Sequence, residues 1–228
     1  MKRSTINRLL QETDAFFKHH HTTLPPFAYW TPHDWSVMGN EARDIVENKL
    51  GWDVTDYGLD DFLNYGLIMF TMRNGGLDSG TTHGGTPYAE KLAMLEVEQQ
   101  HQMHFHWKKV EDIINRAGGK LALQLYNATA DNRLAETEVT VYINSIRRTL
   151  PAGDIVILAP GESISLRPRC YHRFWAEEKR VLMGEVSTVN DDDADNHFSE
   201  PFGSGRFTVI EEDEAALYPL CGEYANYW

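Results

Sequence analysis

The amino-acid sequence predicts a mainly β protein, an antiparallel sandwich or barrel, with a helical segment at its N-terminus. From about residue 65 the chain consists of short apolar runs separated by turn residues, at a spacing of roughly 8–12 residues. No helical pattern lies between these runs, which argues against alternating strand–helix units and a parallel sheet. Before residue 60 the apolar residues instead follow helical spacing.

The N-terminal segment contains two predicted helical regions. The first helix begins near Ser4 or Thr5, either of which can cap it, and runs to about Lys18. The sequence LPPF at residues 24–27 ends this region, because proline cannot continue a helix. Thr31 followed by proline predicts the start of a second helix, with further helix ending at Gly51.

The strands are predicted from apolar runs that end at turn residues. They are, in order, residues 65–73, 91–98, 120–128, 138–144, 154–159, 163–167, 172–176 and 180–187. The tail, residues 190–228, is predicted to form loops and a short closing element. It contains two acidic runs, NDDDADN and IEEDEAA.

The domain organisation follows from this change of pattern. Residues 1–60 are predicted to form a helical arm packed on a barrel of residues 61–228, as one domain overall. Trp30, Trp35 and Trp52 are predicted to anchor the arm to the barrel.

Composition excludes several classes of protein. The 228 residues carry a formal charge of −13, which argues against non-specific binding to nucleic acid or anionic membranes. The two cysteines, Cys170 and Cys221, form no CxxC motif, so a reducing, cytoplasmic compartment is expected. No apolar core of a signal peptide and no run of ~18 apolar residues is present, so no membrane partner is expected.

The segment His101–Glu111 holds the main chemical signal. Residues two apart on a strand face the same side, so His104 and His106 point together and can chelate a divalent ion. With ten histidines in the chain, chance alone gives about 0.4 such pairs, so the pair by itself is weak evidence.

Three further residues strengthen the prediction of a metal site. Glu111 has the opposite strand parity, but a turn or bulge after His106 would bring it back to the same centre, together with Lys109. His172 lies in a later predicted strand, after Pro168. Three histidines and one glutamate inside a barrel would leave open positions on an octahedral ion, as in a catalytic site.

The pattern HxH(x)4E, followed by a proline-containing segment and a lone histidine, resembles the two motifs of the cupins. His104, His106 and Glu111 match the metal ligands of the first motif, and Gly118-Gly119 fits the glycine that ends it. The second motif departs from the cupin form P-x-G-x-x-H, because the segment before His172 lacks the glycine.

Longer segments resemble the D-lyxose isomerase family over essentially the whole chain. They are MHFHWKKVEDIINRAGG (103–119), LPPFAYW (24–30), and GEVSTVNDDDADN (184–196) followed by GRFTVIEEDE (205–214). The resemblance implies a cupin-type jelly-roll barrel and a manganese-dependent isomerase that interconverts D-lyxose with D-xylulose and D-mannose with D-fructose. His104, His106, Glu111 and His172 would be the metal ligands. The same ligands would also accept Co²⁺, Fe, Ni or Zn.

Such an isomerase moves a proton between C2 and C1 of an open-chain sugar, which needs a base and an acid. Lys109 and Glu185 are the candidates. Lys109 would lie near the ion, whose charge favours the neutral amine. The alternative for Lys109 is a solvated charge on an exposed strand. The alternative for Glu185 is an ion pair with a buried arginine such as Arg173.

Residues that would bind the sugar are predicted less directly. Trp107 is a candidate stacking platform, and Arg206, flanked by glycines, is a candidate donor to sugar oxygens. His83 is a candidate lid residue with the alternative of an ordinary loop position. His101 has odd parity and is predicted to face away from the ion.

Three other functions are compatible with the same predicted barrel. A cupin Fe(II) dioxygenase would use the same ligands, and a phosphoglucose isomerase would need a basic cluster for its phosphate. A non-catalytic sugar sensor would bind sugar without exchanging its C2 proton. The N-terminal arm on a barrel with open edges also predicts a homodimer.

Overall fold

The computed structural model describes residues 1–76, 86–200 and 209–228. Every pairing between its named strands is antiparallel, and its α-helices all lie before residue 50. The predicted mainly β fold with N-terminal helices is therefore confirmed.

The described helices are short apart from the first. They are α1 (Arg3–His19), α2 (Pro32–Met38) and α3 (Arg43–Glu47), with 3₁₀ turns at Pro26–Tyr29, Gly39–Ala42 and Tyr224–Asn226. Thr31 caps α2 as predicted, in a reciprocal pair of hydrogen bonds with Asp34. The predicted cap of α1 is wrong, because the Ser4 hydroxyl donates to Asp213 of the tail instead. Among the described residues, no helix combines the length and the apolar character needed to cross a membrane.

Eleven strands form the sheet in the described chain. They are β1 (Gly51–Thr55), β2 (Leu67–Arg73), β3 (Tyr88–Leu95), β4 (His104–His106), β5 (Glu111–Asn127), β6 (Val139–Ile143), β7 (Ile146–Leu150), β8 (Ile155–Leu158), β9 (Ser163–Leu166), β10 (Cys170–Thr188) and β11 (Asn196–Phe198). The order along the sheet is β1-β2-β3-β10-β5-β9-β6-β7, with β8 on β5, β4 on β10, and β11 on β4. The sequence did not predict β1, β7 and β11, and it divided β10 into two strands.

The two longest strands, β5 and β10, pair along almost their whole length. Their register shifts between Glu177 and Val181, where β10 bulges. Gly118 lies opposite this bulge with φ +98°, and a Cβ there would stand 2.1 Å from the Arg180 carbonyl oxygen. The glycine pair at the end of the first motif thus makes room for the bulge, and β5 continues through it.

The sheet curls so that one face encloses the main core. Leu67 and Met69 of β2 share a buried cluster with Val139 and Val141 of β6. Because β2 and β6 lie far apart in the strand order, they meet only if the sheet closes on itself. The open end of this curled sheet holds the cavity described below.

The helical arm covers the outer face of the same sheet. Ile68 and Phe70 alternate with the inward residues of β2 and pack against Ile6 and Leu10 of α1. Trp52 belongs to this outer cluster, and its indole N–H donates to the Ala28 carbonyl at 2.9 Å. Since β1 pairs with β2, residues 51–55 are part of the sheet. The predicted domain boundary near residue 60 stays a prediction.

The arm is also attached to the C-terminal tail. Trp35 stacks on Tyr224 with ring centroids 4.0 Å apart. Arg3 is fully buried and donates to the carboxylates of Glu212 and Glu223. The first turn of α1 is therefore held by residues more than 200 positions away.

Replacing Arg3 should destabilise the fold more than replacing an exposed arginine of the same helix. R3M leaves two carboxylates without their cation, and one of them, Glu223, is largely buried. We expect a loss of about 3 kcal/mol in the free energy of unfolding by urea. R8M removes only an exposed ion pair with Glu12. It should change the free energy of unfolding by less than about 0.5 kcal/mol.

The difference in the free energy of unfolding between R3M and the wild type should also depend on pH. The hydrogen bond from Arg3 lowers the pKa of Glu212 below its ordinary value of 4.5. A lowered carboxyl pKa stabilises the folded state at neutral pH, and that contribution is lost as the pH falls below 4.5. Equal stability of R3M and wild type at pH 7 would contradict this role of Arg3.

Candidate active site

Three buried histidines converge on one point at the open end of the barrel. His104 and His106 lie on the same face of β4, and His172 of β10 is paired in register with His104. Their available ring nitrogens all lie within 4.8 Å of one another. This is the distance at which three imidazoles can hold one metal ion.

Each imidazole is oriented by a main-chain carbonyl. The Nδ1 atoms lie at hydrogen-bond distance from these oxygens: His104 from Gln102 at 2.8 Å, His106 from Asp195 at 3.3 Å, and His172 from Cys170 at 3.0 Å. A carbonyl only accepts, so Nδ1 carries the proton in each ring. The lone pair of each neutral ring is then on Nε2, the nitrogen that binds metal in this tautomer.

Glu111 lies beside the three imidazoles, although the atoms within 4.8 Å of one another are those of the histidines alone. The four residues after β4 form a turn, so Glu111 at the start of β5 faces the same centre as the histidines. Its carboxylate lies 3.1 Å from Nε2 of His172 and 3.5 Å from Nε2 of His106. Burial lowers the pKa of His172, so its ring is neutral and presents a lone pair to the carboxylate oxygen. Two such atoms repel each other unless a cation lies between them, and the arrangement therefore fits a metal ion.

Lys109 enters the same centre from the turn. Its Nζ lies 2.8 Å from a carboxylate oxygen of Glu111 and 2.8 Å from one of Glu185. Burial alone would lower the pKa of Lys109, but the two carboxylates outweigh it and raise that pKa. The sequence prediction of a neutral amine considered only the metal, whereas these carboxylates favour the ammonium form.

Glu185 is a buried carboxylate between two lysines. It lies on the inner face of β10 with Met183, directly opposite Lys91 of β3. Burial would raise the pKa of Glu185, but Lys109 and Lys91 lower it. The ion pair with Arg173 that the sequence allowed is absent, because Arg173 donates to glutamine side chains instead.

The cavity above these groups includes residues that sequence reasoning missed. Lys91, Tyr57 and Phe198 line it. His101 also lines it, its ring centroid 4.7 Å from that of His104, and it is hydrogen-bonded to the Tyr57 hydroxyl. The prediction that His101 faces away is wrong, because residues 101–103 precede the strand and strand alternation does not apply to them.

The predicted sugar-binding residues are placed differently. Trp107 is 37% exposed and packs against Phe105, outside the set of residues that line the cavity. Arg206 and His83 lie outside the described residues.

Arg169 occupies the position of the glycine that the second motif lacks. Its φ of +64° is in the left-handed region that favours glycine. The guanidinium carbon lies 5.1 Å from the ring centroid of Phe105 and 5.4 Å from that of Trp107, and the side chain donates to the Thr129 carbonyl. These contacts stabilise Arg169 in a left-handed backbone conformation that the glycine of the cupin motif adopts easily.

Comparison with known proteins identifies the family. The family model described as D-lyxose isomerase matches residues 1–224. A protein of Serratia proteamaculans named D-lyxose/D-mannose isomerase is 48% identical over 100% of this chain and 99% of its own length. A protein of the same name from Escherichia coli O157:H7 is 46% identical over 100% of both chains.

The chain belongs to the D-lyxose isomerase family. It is a sugar aldose–ketose isomerase, as the sequence predicts, and the dioxygenase and sensor alternatives are set aside.

Solved structures support the fold. L-ribose isomerases from Cellulomonas parahominis and Acinetobacter sp. DL28 match with TM-scores of 0.61 and 0.60, over 92% of this chain and 98% of theirs. Their identities to this chain are 16% and 15%, so the likeness concerns the fold alone.

Proposed function

We propose that this isomerase interconverts D-lyxose with D-xylulose, and D-mannose with D-fructose, with Mn²⁺ or Co²⁺ bound by His104, His106, His172 and Glu111. The relatives that cover the whole chain are named for D-lyxose and D-mannose. The observation that carries the metal assignment is the meeting of three carbonyl-anchored imidazoles with one buried carboxylate.

The donor set suits a divalent ion that must also bind substrate. Three imidazoles and one carboxylate would hold a divalent ion without filling its coordination, which would leave room for oxygens of the sugar. When bound, the ion would supply Lewis-acid polarisation of the sugar carbonyl.

Glu185 is the proposed base. Its carboxylate is ionised and buried, so it can accept the C2 proton of the open-chain aldose and return that proton to C1. As the C2–H bond breaks, its electron pair forms the C1–C2 double bond, and the carbonyl oxygen O1 needs a proton. Lys109, held as an ammonium between the two carboxylates, is the proposed donor to O1 and acceptor from O2.

We also propose that the protein is a homodimer with a cytoplasmic location. A homodimer would cover the exposed apolar residues Ile155 and Ile157 of β8. Both cysteines are free thiols, which supports a reducing, cytoplasmic location. Light scattering on the purified protein tests the dimer against the monomer mass of 26.1 kDa.

Proton NMR in D₂O tests the reaction itself. The Mn²⁺-loaded protein should convert D-lyxose into D-xylulose, with deuterium appearing in the product because the base exchanges with solvent. Samples are quenched with chelator before the spectrum is recorded, and protein stripped of metal is the control. Absence of D-xylulose from D-lyxose, and of D-fructose from D-mannose, with any divalent metal would refute the proposed substrates. Conversion without deuterium would refute the exchanging base.

Removing one metal ligand should abolish metal retention. H172A should purify with less than about a tenth of the wild-type Mn²⁺, because the ion loses one of four protein donors. The measurement is elemental analysis after dialysis. H33A, which removes an exposed histidine, should retain wild-type metal content. Full metal content in H172A would contradict the ligand assignment.

Replacing the proposed base should reduce turnover without removing the metal. E185Q should lower kcat for D-lyxose by about 10²–10⁴-fold, the usual contribution of a positioned acid or base. Metal content should stay within twofold of the wild type, as Glu185 is not among the proposed ligands.

The matched control lies on the same strand. E178Q replaces an exposed glutamate of β10 that pairs with Lys120, and its kcat should stay within twofold of the wild type. An E185Q enzyme as active as E178Q would assign the base to another residue.

A further inference from the structure

Residues 190–198, which we call the closing loop, form one wall of the cavity. The loop follows β10 and ends in β11, which pairs with the histidine strand β4. Asp192, Asn196 and Phe198 of the loop line the cavity. The position of the closing loop therefore determines the shape of the cavity on this side.

Asp195 connects this loop to the turn after β4 through both its side chain and its main chain. The two carboxylate oxygens accept from the main-chain N–H groups of Lys108 and Lys109, at 2.8 and 2.9 Å. The Asp195 carbonyl oxygen accepts from the N–H of Trp107 at 3.2 Å and from Nδ1 of His106 at 3.3 Å. Four consecutive residues are thus bound by one buried aspartate.

We propose that Asp195 is the positioning residue that fixes His106 and Lys109 in the geometry the reaction needs. This inference rests on the proposed function, since it assigns Asp195 a role toward the metal ligand His106 and the proton donor Lys109. Asp195 itself does not line the cavity. It acts through the two residues it holds.

A carboxylate is the side chain that suits this position. Two main-chain N–H groups between β4 and β5, those of Lys108 and Lys109, point at the Asp195 carboxylate. A carboxylate accepts both at once in charge-assisted hydrogen bonds. An asparagine keeps one accepting oxygen and turns an amide N–H₂ toward the other donor, so one hydrogen bond is lost.

Asn190, the first residue of the closing loop, contacts the ammonium group of Lys109. The Asn190 side-chain oxygen lies 3.4 Å from Lys109 Nζ. Asn190 is in turn fixed by Asn74, whose side chain accepts from its N–H at 3.0 Å and donates to its carbonyl at 2.9 Å. Lys109 is therefore bound at its main chain by Asp195 and at its ammonium by Asn190.

Metal affinity measures the role of Asp195 independently of turnover. Mn²⁺ alone is titrated into metal-free protein, and free Mn²⁺ is followed by its electron paramagnetic resonance signal. D195A keeps the main-chain carbonyl that accepts from His106, and it removes the two side-chain hydrogen bonds that fix this carbonyl against the turn. Loss of the support behind a metal ligand typically weakens metal binding by about 10–100-fold. We expect D195A to reach this range and D195N, which keeps one acceptor, to fall between D195A and the wild type.

Two controls separate positioning from general damage. D193N changes an exposed aspartate of the same loop that pairs with Lys49, and it should bind Mn²⁺ as the wild type does. V139A truncates a buried core residue that is not part of the cavity lining, and it supplies a protein of lowered melting temperature. If D195A does not fold, D195N is compared with V139A at matched thermal stability.

The outcomes are distinct. Weaker Mn²⁺ binding by D195N than by V139A, with a lower kcat for D-lyxose at saturating Mn²⁺, supports positioning. Mn²⁺ affinity of the Asp195 variants within twofold of D193N overturns it and leaves the proposed function intact. A wild-type protein that binds neither Mn²⁺ nor Co²⁺ overturns the proposed metal site, and the present inference with it.

Discussion

The register between β5 and β10 is the constraint on which the site depends. It places Glu111 opposite Ser187 and Ile113 opposite Glu185, so the two carboxylates are diagonal neighbours on the inner face. The register with β3 adds Lys91 on the other side of Glu185. A slip of one residue would turn each of these side chains to the outer face, into the apolar cluster under α1. The long ladder, with its bulge opposite Gly118, makes such a slip costly.

This register brings two buried carboxylates close together, and such an arrangement is stable only with compensating charge. Lys109 bridges Glu111 and Glu185, and Lys91 faces Glu185 from the adjacent strand. Buried ion pairs contribute little net stability, because desolvation offsets their attraction. In the proposed mechanism, this network keeps Glu185 ionised as the base while Glu111 remains available to a metal ion.

The elements that sequence predicted well are those with a strong local pattern. β2 and β6 show apolar runs of strand length, and Thr31-Pro32 is a local start signal for α2. The elements it missed lack such a pattern. β7 is exposed along most of its length and carries two arginines, and β11 is three residues long. In β10 the charged residues 177–180 look like a turn, whereas they form a bulge within one strand.

The residues of the candidate site also divide into those with a local sequence pattern and those without one. His104 and His106 were found because strand alternation is a local rule, and His172 and Glu111 because of the spacing of a known motif. Neither strand alternation nor motif spacing points to Lys91 or His101. Their place in the cavity depends on which strands become neighbours and on where β4 begins.

The acidic run of the closing loop is the clearest case of information that sequence alone does not contain. Asp192, Asp193 and Asp195 look equivalent in the sequence NDDDADN, and a solvated loop is the simplest interpretation of all three. In the structure Asp193 pairs with Lys49 at the surface, Asp192 lines the cavity, and Asp195 binds main-chain N–H groups. What distinguishes them is the turn after β4, which lies almost 90 residues earlier in the chain. The N–H groups of Lys108 and Lys109 in that turn point at Asp195, so its carboxylate is held inward while that of Asp193 stays at the surface. The proposed metal ligand His106 and the proposed proton donor Lys109 are thus bound by a residue whose own sequence context gives no sign of these contacts.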